Sequence, residues 1–160
     1  MSGTTGDAAG GATVVLGVIG ADCHSVGNRI LDGFFSEKGF RVVNLGVMVS
    51  QDEFIDAAIE SGADAILVSS LYGQGEIDCA GFRDRCVERG LEDMPLYVGG
   101  NLVIGKVPRE AIAAKYAAMG FDRVFMPSDD LEKAARLLEV DVAERRRRRA
   151  LPGAARAETP

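Results

Sequence analysis

The sequence predicts an α/β fold: one parallel sheet of five strands with helices on both faces. Three observations predict it. Five short apolar runs rich in Val, Ile and Leu recur between segments whose apolar residues follow a helical spacing. The connections are short and carry Gly, Ser, Asp or Pro. The third run, Asp64–Ser70, is nearly all apolar, as a central parallel strand covered on both faces should be.

Each element has its own justification. Residues 1–12 are small and Gly-rich and are expected to be disordered. Thr13–Ile19 is the first strand. Gly27 to Lys38 is the first helix, with Ile30, Leu31, Phe34 and Phe35 as its apolar stripe and Gly39 as its stop. Phe40–Val47 is the second strand. Ser50 caps a helix through Glu60, Glu53 completes a capping box, and Gly62 ends it. After the third strand, a loop from Leu71 to Ile77 leads to a helix over Asp78–Arg89, stopped by Gly90. Pro95–Val98 is the fourth strand. Pro108 suits the first turn of a helix that runs to Met119. Asp122–Met126 is the fifth strand, and Ser128 caps a final helix to Val140.

Five βα units with right-handed crossovers give the flavodoxin-like (Rossmann-like) strand order 2-1-3-4-5 as the simplest topology. Its switch point lies between strands one and three, where ligands of open α/β sheets bind. The organisation expected is a disordered segment 1–12, one domain over 13–140, and an Arg-rich, disordered tail over 141–160. That tail holds five consecutive arginines, Arg145 to Arg149. A solvated extension is the plain reading of such a run; contact with RNA or an acidic partner is the other.

Composition excludes several classes. The 160 residues are 47% hydrophobic and carry 18 Lys and Arg against 24 Asp and Glu, a net charge of −6. That balance disfavours general nucleic-acid binding. Three unpatterned cysteines fit a reducing, cytoplasmic setting rather than a disulfide framework. Residues 1–12 lack the charged and apolar regions of a secretory signal. No apolar run approaches the roughly 18 residues that span a membrane.

The one histidine of the chain stands in Gly20-Ala21-Asp22-Cys23-His24-Ser25-Val26-Gly27, directly after the first strand. In an extended loop, residues i and i+2 point to the same side, so the Asp22 carboxylate can reach His24. A carboxylate on Nδ1–H fixes the tautomer and leaves Nε2 as a basic lone pair, suited to a metal or to general-base work. No Cys-x-x-Cys or paired-His set supplies further metal ligands. A metal that arrives inside a macrocycle needs none in its equatorial plane. Two more loops containing glycine leave the same sheet edge: Ser69-Ser70-Leu71-Tyr72-Gly73-Gln74-Gly75-Glu76 after strand three, and Gly99-Gly100-Asn101-Leu102-Val103-Ile104-Gly105-Lys106 after strand four. Glycine there permits close backbone approach to a large, flat ligand.

Asp22-x-His24-x-x-Gly27, Ser69-x-Leu71 and Gly99-Gly100 together resemble the three signatures of the base-off/His-on cobalamin-binding proteins. Over residues 13 to 127, phrases such as GVIGADCHSVGNRIL and VSSLYGQGEIDC are similar to the small, cobalamin-binding S subunit family of glutamate mutase (methylaspartate mutase). The resemblance implies adenosylcobalamin as cofactor, with His24 as the lower axial ligand to cobalt. It implies that Ser69 bonds the dimethylbenzimidazole tail and that the paired glycines make room for it in a pocket between the first helix and the sheet. The cofactor-binding set it implies is Ala21, Asp22, Cys23, His24, Ser25, Gly27, Ser69, Ser70, Leu71, Tyr72, Gly99, Gly100, Asn101, Leu102, Val103, Ile104 and Gly105. It also implies a radical rearrangement of L-glutamate to (2S,3S)-3-methylaspartate, performed with a larger TIM-barrel subunit in a heterotetramer of two large and two small chains. No catalytic residue is assigned to this chain, which is not expected to act alone.

Plainer roles stand beside these. Asp22 suits a turn for its own sake, Cys23 points away from its neighbours as a packing residue, and Tyr72 and Lys106 are as well suited to an interface or surface as to a corrin. Cys79 and Cys86 lie too far apart along a helix (about 10 Å) for a disulfide. A phosphoacceptor receiver of the same fold would need an Asp where Ser69-Ser70 stand. A corrinoid subunit of another mutase or of a methyltransferase, or a non-catalytic cobalamin sensor, are the alternatives.

Overall fold

The computed structural model describes residues 11–20, 25–70, 75–100, 102 and 106–151. Its strands are β1 (Thr13–Val18), β2 (Arg41–Asn44), β3 (Ala65–Ser70), β4 (Leu96–Gly100) and β5 (Arg123–Phe125). They form one sheet in the order β2-β1-β3-β4-β5. All four pairings are parallel, with Val18 opposite Ser69, Ser69 opposite Gly99 and Ser70 opposite Gly100. The flavodoxin-like order expected from the βα alternation is the order found. β1 and β3 are buried along their whole length, which is why their sequences are continuous apolar runs rather than alternating ones.

The helices are α1 (Val26–Glu37), α2 (Gln51–Ser61), α3 (Gly75–Asp78), α4 (Phe82–Glu88), α5 (Arg109–Ala118) and α6 (Leu131–Ala150). Helix α2 starts as its sequence predicts. Glu53 N–H donates to Ser50 Oγ at 3.1 Å and Ser50 N–H to Glu53 Oε1 at 2.9 Å, and Gly62 closes the helix at φ 64°. The strand faces divide the core in two. On one face Ile66, Val68 and Val98 pack with Phe54 of α2, Phe82 of α4 and Tyr116 of α5. On the other, Leu16, Leu67 and Tyr97 pack with Phe35 of α1 and Leu138 of α6.

Three local expectations are corrected. The helix expected over 78–89 is two pieces, broken where Gly81 takes φ 78°. The last helix is capped by Asp130, whose carboxylate accepts from Glu132 N–H at 3.0 Å, and not by Ser128. The same helix does not stop at Val140, and residues 141–150 are not a disordered tail: α6 runs to Ala150. The physical reason is a set of acids on the strand-entry side of the sheet. Arg145, its side chain 8% exposed, reaches Asp93 at 3.3 Å and donates to Ala63 O. Arg146 pairs with Asp64, which also accepts from Thr13 N–H at 2.9 Å. Arg149 pairs with Asp93, and Arg147 with Glu144. Much of the positive charge of the run is therefore neutralised within the fold. Higher on the same helix, Asp141 accepts from Tyr97 Oη at 2.6 Å and from Arg123 Nε at 3.0 Å.

Asp93 gives this clasp a pH dependence. Burial pushes its carboxyl up, but Arg145 and Arg149 together outweigh that and hold it below the ordinary carboxylate range. A carboxyl depressed in the folded state stabilises fully above its unfolded pKa of about 3.9, and that stability is lost as pH falls through the lower folded value. Removing one member of a buried pair leaves an uncompensated charge, at about 3 kcal/mol. Asp93→Ala is therefore expected to lower stability by about that amount at pH 7. Arg148→Ala, which loses only an exposed 3.8 Å approach to Glu144, should cost less than about 0.5 kcal/mol. Urea unfolding midpoints check both, and the Asp93→Ala deficit should shrink as pH falls through the lowered folded value of that carboxyl.

Candidate functional site

A cavity opens at the strand-exit edge on the α1/α6 face. It encloses about 450 Å³, within the usual range for a small-molecule site. Its floor is the sheet: Leu16, Leu67, Ser69, Tyr97, Gly99 and Phe125. These are the positions whose side chains point to one face of β1, β3, β4 and β5. Gly27, Ile30, Leu31 and Phe35 of α1 form one wall, and Leu131 and Ala134 of α6, with Met126 and Pro127 before it, form the other.

The cavity is apolar except for a few placed groups. Ser69 lies in its floor, 5% exposed, and among the described residues no protein hydrogen bond engages its hydroxyl. Gly99 and Gly100 present bare backbone beside it. A methyl added at Gly99 would reach only Phe125, at an ordinary 3.5 Å, so the space above this strand is kept open by the absence of a side chain. Gly100 takes φ 111°, a conformation open to glycine. At the rim, Asp129 is held by Arg109 through two hydrogen bonds of 2.7 and 2.6 Å and accepts from Met126 N–H. That Arg109 contact is the main reason its carboxyl lies below the ordinary range. Within the floor, the Tyr97 ring packs at a tilt against Phe125, 5.7 Å between centroids.

The structure brings Gly27, Ser69, Gly99 and Gly100 to this one cavity. Ser25 precedes α1 with its side chain half-buried and makes no side-chain cap bond. Ser70 and Leu102 go elsewhere. Ser70 is fully buried, with no partner for its hydroxyl among the described residues, and Leu102 sits in the core of the opposite face, where its carbonyl accepts from Tyr116 Oη at 3.2 Å. Lys106 is exposed. Ala21, Asp22, Cys23, His24, Leu71, Tyr72, Asn101, Val103, Ile104 and Gly105 lie outside the described residues. Cys79 and Cys86 are buried free thiols, pushed by burial to about 12 and about 11; neither is a nucleophile near neutral pH. Among the described residues no group of three or more His, Cys, Asp or Glu is placed to hold a metal ion.

Sequence reasoning missed the second wall. Phe125, Met126, Leu131 and Ala134 read as ordinary core positions, because an apolar pocket wall and an apolar core have the same pattern. The available signal was positional: Met126-Pro127 ends the fifth strand on the edge where the glycine loops lie.

Comparison with known proteins places the chain in a family. The family described as B12 binding domain matches residues 12–136. The glutamate mutase sigma subunit of Escherichia coli O157:H7 is 64% identical over 84% of this chain and 90% of its own length. That of Clostridium tetanomorphum is 58% identical over 75% and 88%. Among solved structures, a cobalamin-binding protein from Desulfitobacterium hafniense DCB-2 superposes with a TM-score of 0.66 at 20% identity, covering 81% of this chain and 58% of that one. The monomethylamine corrinoid protein of Methanosarcina barkeri gives 0.61 at 22% identity, over 88% and 65%. At such identities the two structures speak to the fold alone. The family match and the sequence relatives together decide the assignment: the chain belongs to the B12-binding domain family and, within it, to the glutamate mutase sigma subunits.

Proposed function

We propose that this chain is the cobalamin-carrying subunit of an adenosylcobalamin-dependent glutamate mutase, with His24 as the lower axial ligand to cobalt. The observation that carries the reading is the apolar cavity between α1 and the sheet, with Ser69, Gly99 and Gly100 in its floor. These residues fit a cofactor that is displaced from its own base. A detached aromatic tail needs an apolar slot, one hydrogen-bond donor for its ring nitrogen and bare backbone beside it, and the described residues offer all three. Bound adenosylcobalamin supplies the radical chemistry that interconverts L-glutamate and (2S,3S)-3-methylaspartate.

This chain's own residues bind and orient. Ser69 donates to the tail base. Leu16, Leu67, Phe35 and Phe125 exclude water from it. Asp22 fixes the tautomer of His24 and keeps Nε2 free to ligate. Substrate handling belongs to a partner, proposed as a larger TIM-barrel subunit in a two-plus-two assembly. A corrinoid carrier for methyl transfer would use the same cavity, and the 64% identity to a glutamate mutase subunit favours the mutase.

Three outcomes test this. Electron paramagnetic resonance on cob(II)alamin bound to ¹⁵N-histidine-labelled chain should show a changed nitrogen splitting. His24→Ala should abolish it, and Asp22→Asn should weaken binding by about 10- to 100-fold; unaltered binding and spectrum in His24→Ala would sink the ligand assignment. Gly99→Leu, which places a side chain in the cavity, should reduce affinity for cobalamin about tenfold or more while leaving that for cobinamide, which lacks the tail, near its original value. Purified chain with adenosylcobalamin and glutamate should give no methylaspartate until a large subunit is added, and turnover by the chain alone contradicts the division of labour.

A further inference from the structure

Gly20 ends the first strand's run and opens the segment 21–24, which bears Asp22 and His24. It takes φ 79°, and its N–H donates to Val49 O at 2.9 Å. The space where a side chain would stand is filled by the carboxylate of Asp78: a methyl built on Gly20 would lie 2.5 Å from Asp78 Cγ and 2.8 Å from Oδ1. A carboxylate pressed onto backbone gives up hydration that an outward rotamer would keep. Its charge is felt inside the fold, since after burial it is the next cause that raises the Cys79 thiol.

Asp78 is also anchored from behind. Gln51 Nε2, in the first turn of α2, donates to Asp78 O at 2.7 Å and to Ala80 O at 2.9 Å. At the other end of α3, a methyl on Gly75 would stand 2.5 Å from Tyr116 Oη and 3.2 Å from Ser70 Oγ, and that Tyr116 hydroxyl holds Leu102 O. The single turn of α3 thus touches the residue before segment 21–24 and, through Tyr116, the segment after β4. Segment 71–74 joins it directly to β3.

We propose that Asp78 is a positioning residue for the loop that carries His24: seated on Gly20 and anchored through Gln51, it sets the direction in which that loop leaves β1. This rests on the reading of His24 as the cobalt ligand. The test uses the full chain, ¹⁵N-histidine labelling and cob(II)alamin, with paramagnetic resonance, binding and thermal unfolding read on the same samples. Asp78→Ala is expected to weaken binding about tenfold and to lower the fraction of bound cofactor that shows the His24 nitrogen splitting. Asp78→Asn, which keeps the shape, should fall between it and the unsubstituted chain. Gly20→Ala displaces the carboxylate and also strains the backbone at φ 79°, so it should give at least the same loss, and Asp78→Asn carries the test if Asp78→Ala does not fold. A purely structural Asp78 would lower Tm and leave the splitting of the bound fraction whole. Unchanged splitting and affinity in both Asp78→Ala and Gly20→Ala overturn the proposal while His24 keeps its role; no splitting in the unsubstituted chain overturns both.

Discussion

An apolar cavity of about 450 Å³ is expensive to hold open in water, because the surrounding side chains gain by collapsing into it. Everything around the site depends on preventing that collapse. The two walls are helices on the same sheet face, so the cavity persists only while α1 and α6 cannot slide together. Helix α6 is fixed away from the cavity. Its lower half is tied to Asp64 and Asp93 before β3 and β4 by Arg146, Arg145 and Arg149, and its middle to Arg123 and Tyr97 through Asp141. The upper turn, with Leu131 and Ala134, is left standing at the opening. The shape of the cavity at one end of the sheet is thereby secured by ion pairs at the other.

Most of this architecture was legible in the residues. The Ser50–Glu53 box, the glycine stops and the apolar run of β3 are local signals, and the structure obeys them because each is satisfied within a few residues. The end of α6 was not legible for the opposite reason. Five adjacent arginines read as solvated because the acids that tie Arg145, Arg146 and Arg149 into the fold stand 52 to 82 positions away in sequence, and only Glu144, which receives Arg147, is near. The break at Gly81 was equally hidden, since one glycine inside a helical pattern is a cost rather than a stop. In the site, the glycine and serine motifs were readable because bare backbone and a lone hydroxyl are unusual chemistry. The greasy wall from β5 and α6 was unreadable because it is ordinary.

The two serines that end β3 show how closely function and scaffold are interleaved. Ser69 faces the cavity, and Ser70, one residue on, is buried on the opposite face near Gly75 and Tyr116. Strand alternation alone separates them. A one-residue slip of β3 would exchange a cavity-facing hydroxyl for a core-facing one and turn Leu67 and Val68 to the wrong cores at the same time. The register with Gly99 and Gly100 on β4 therefore fixes the site and the packing together.

The clasp at the end of α6 also bears on the order of assembly as the chain leaves the ribosome. Helix α6 is the last described element to be made, and it covers the sheet face built from Leu16, Leu67 and Tyr97. The opposite face receives α2, α4 and α5 earlier. One half of the core can therefore consolidate while the other still shows apolar side chains to solvent. The arginine-to-aspartate contacts that finish the fold form only after residues 145 to 149 have emerged, so a chain interrupted before them has α1 and the first turns of α6 to cover this face but lacks the ion pairs that tie α6 to the strand-entry edge.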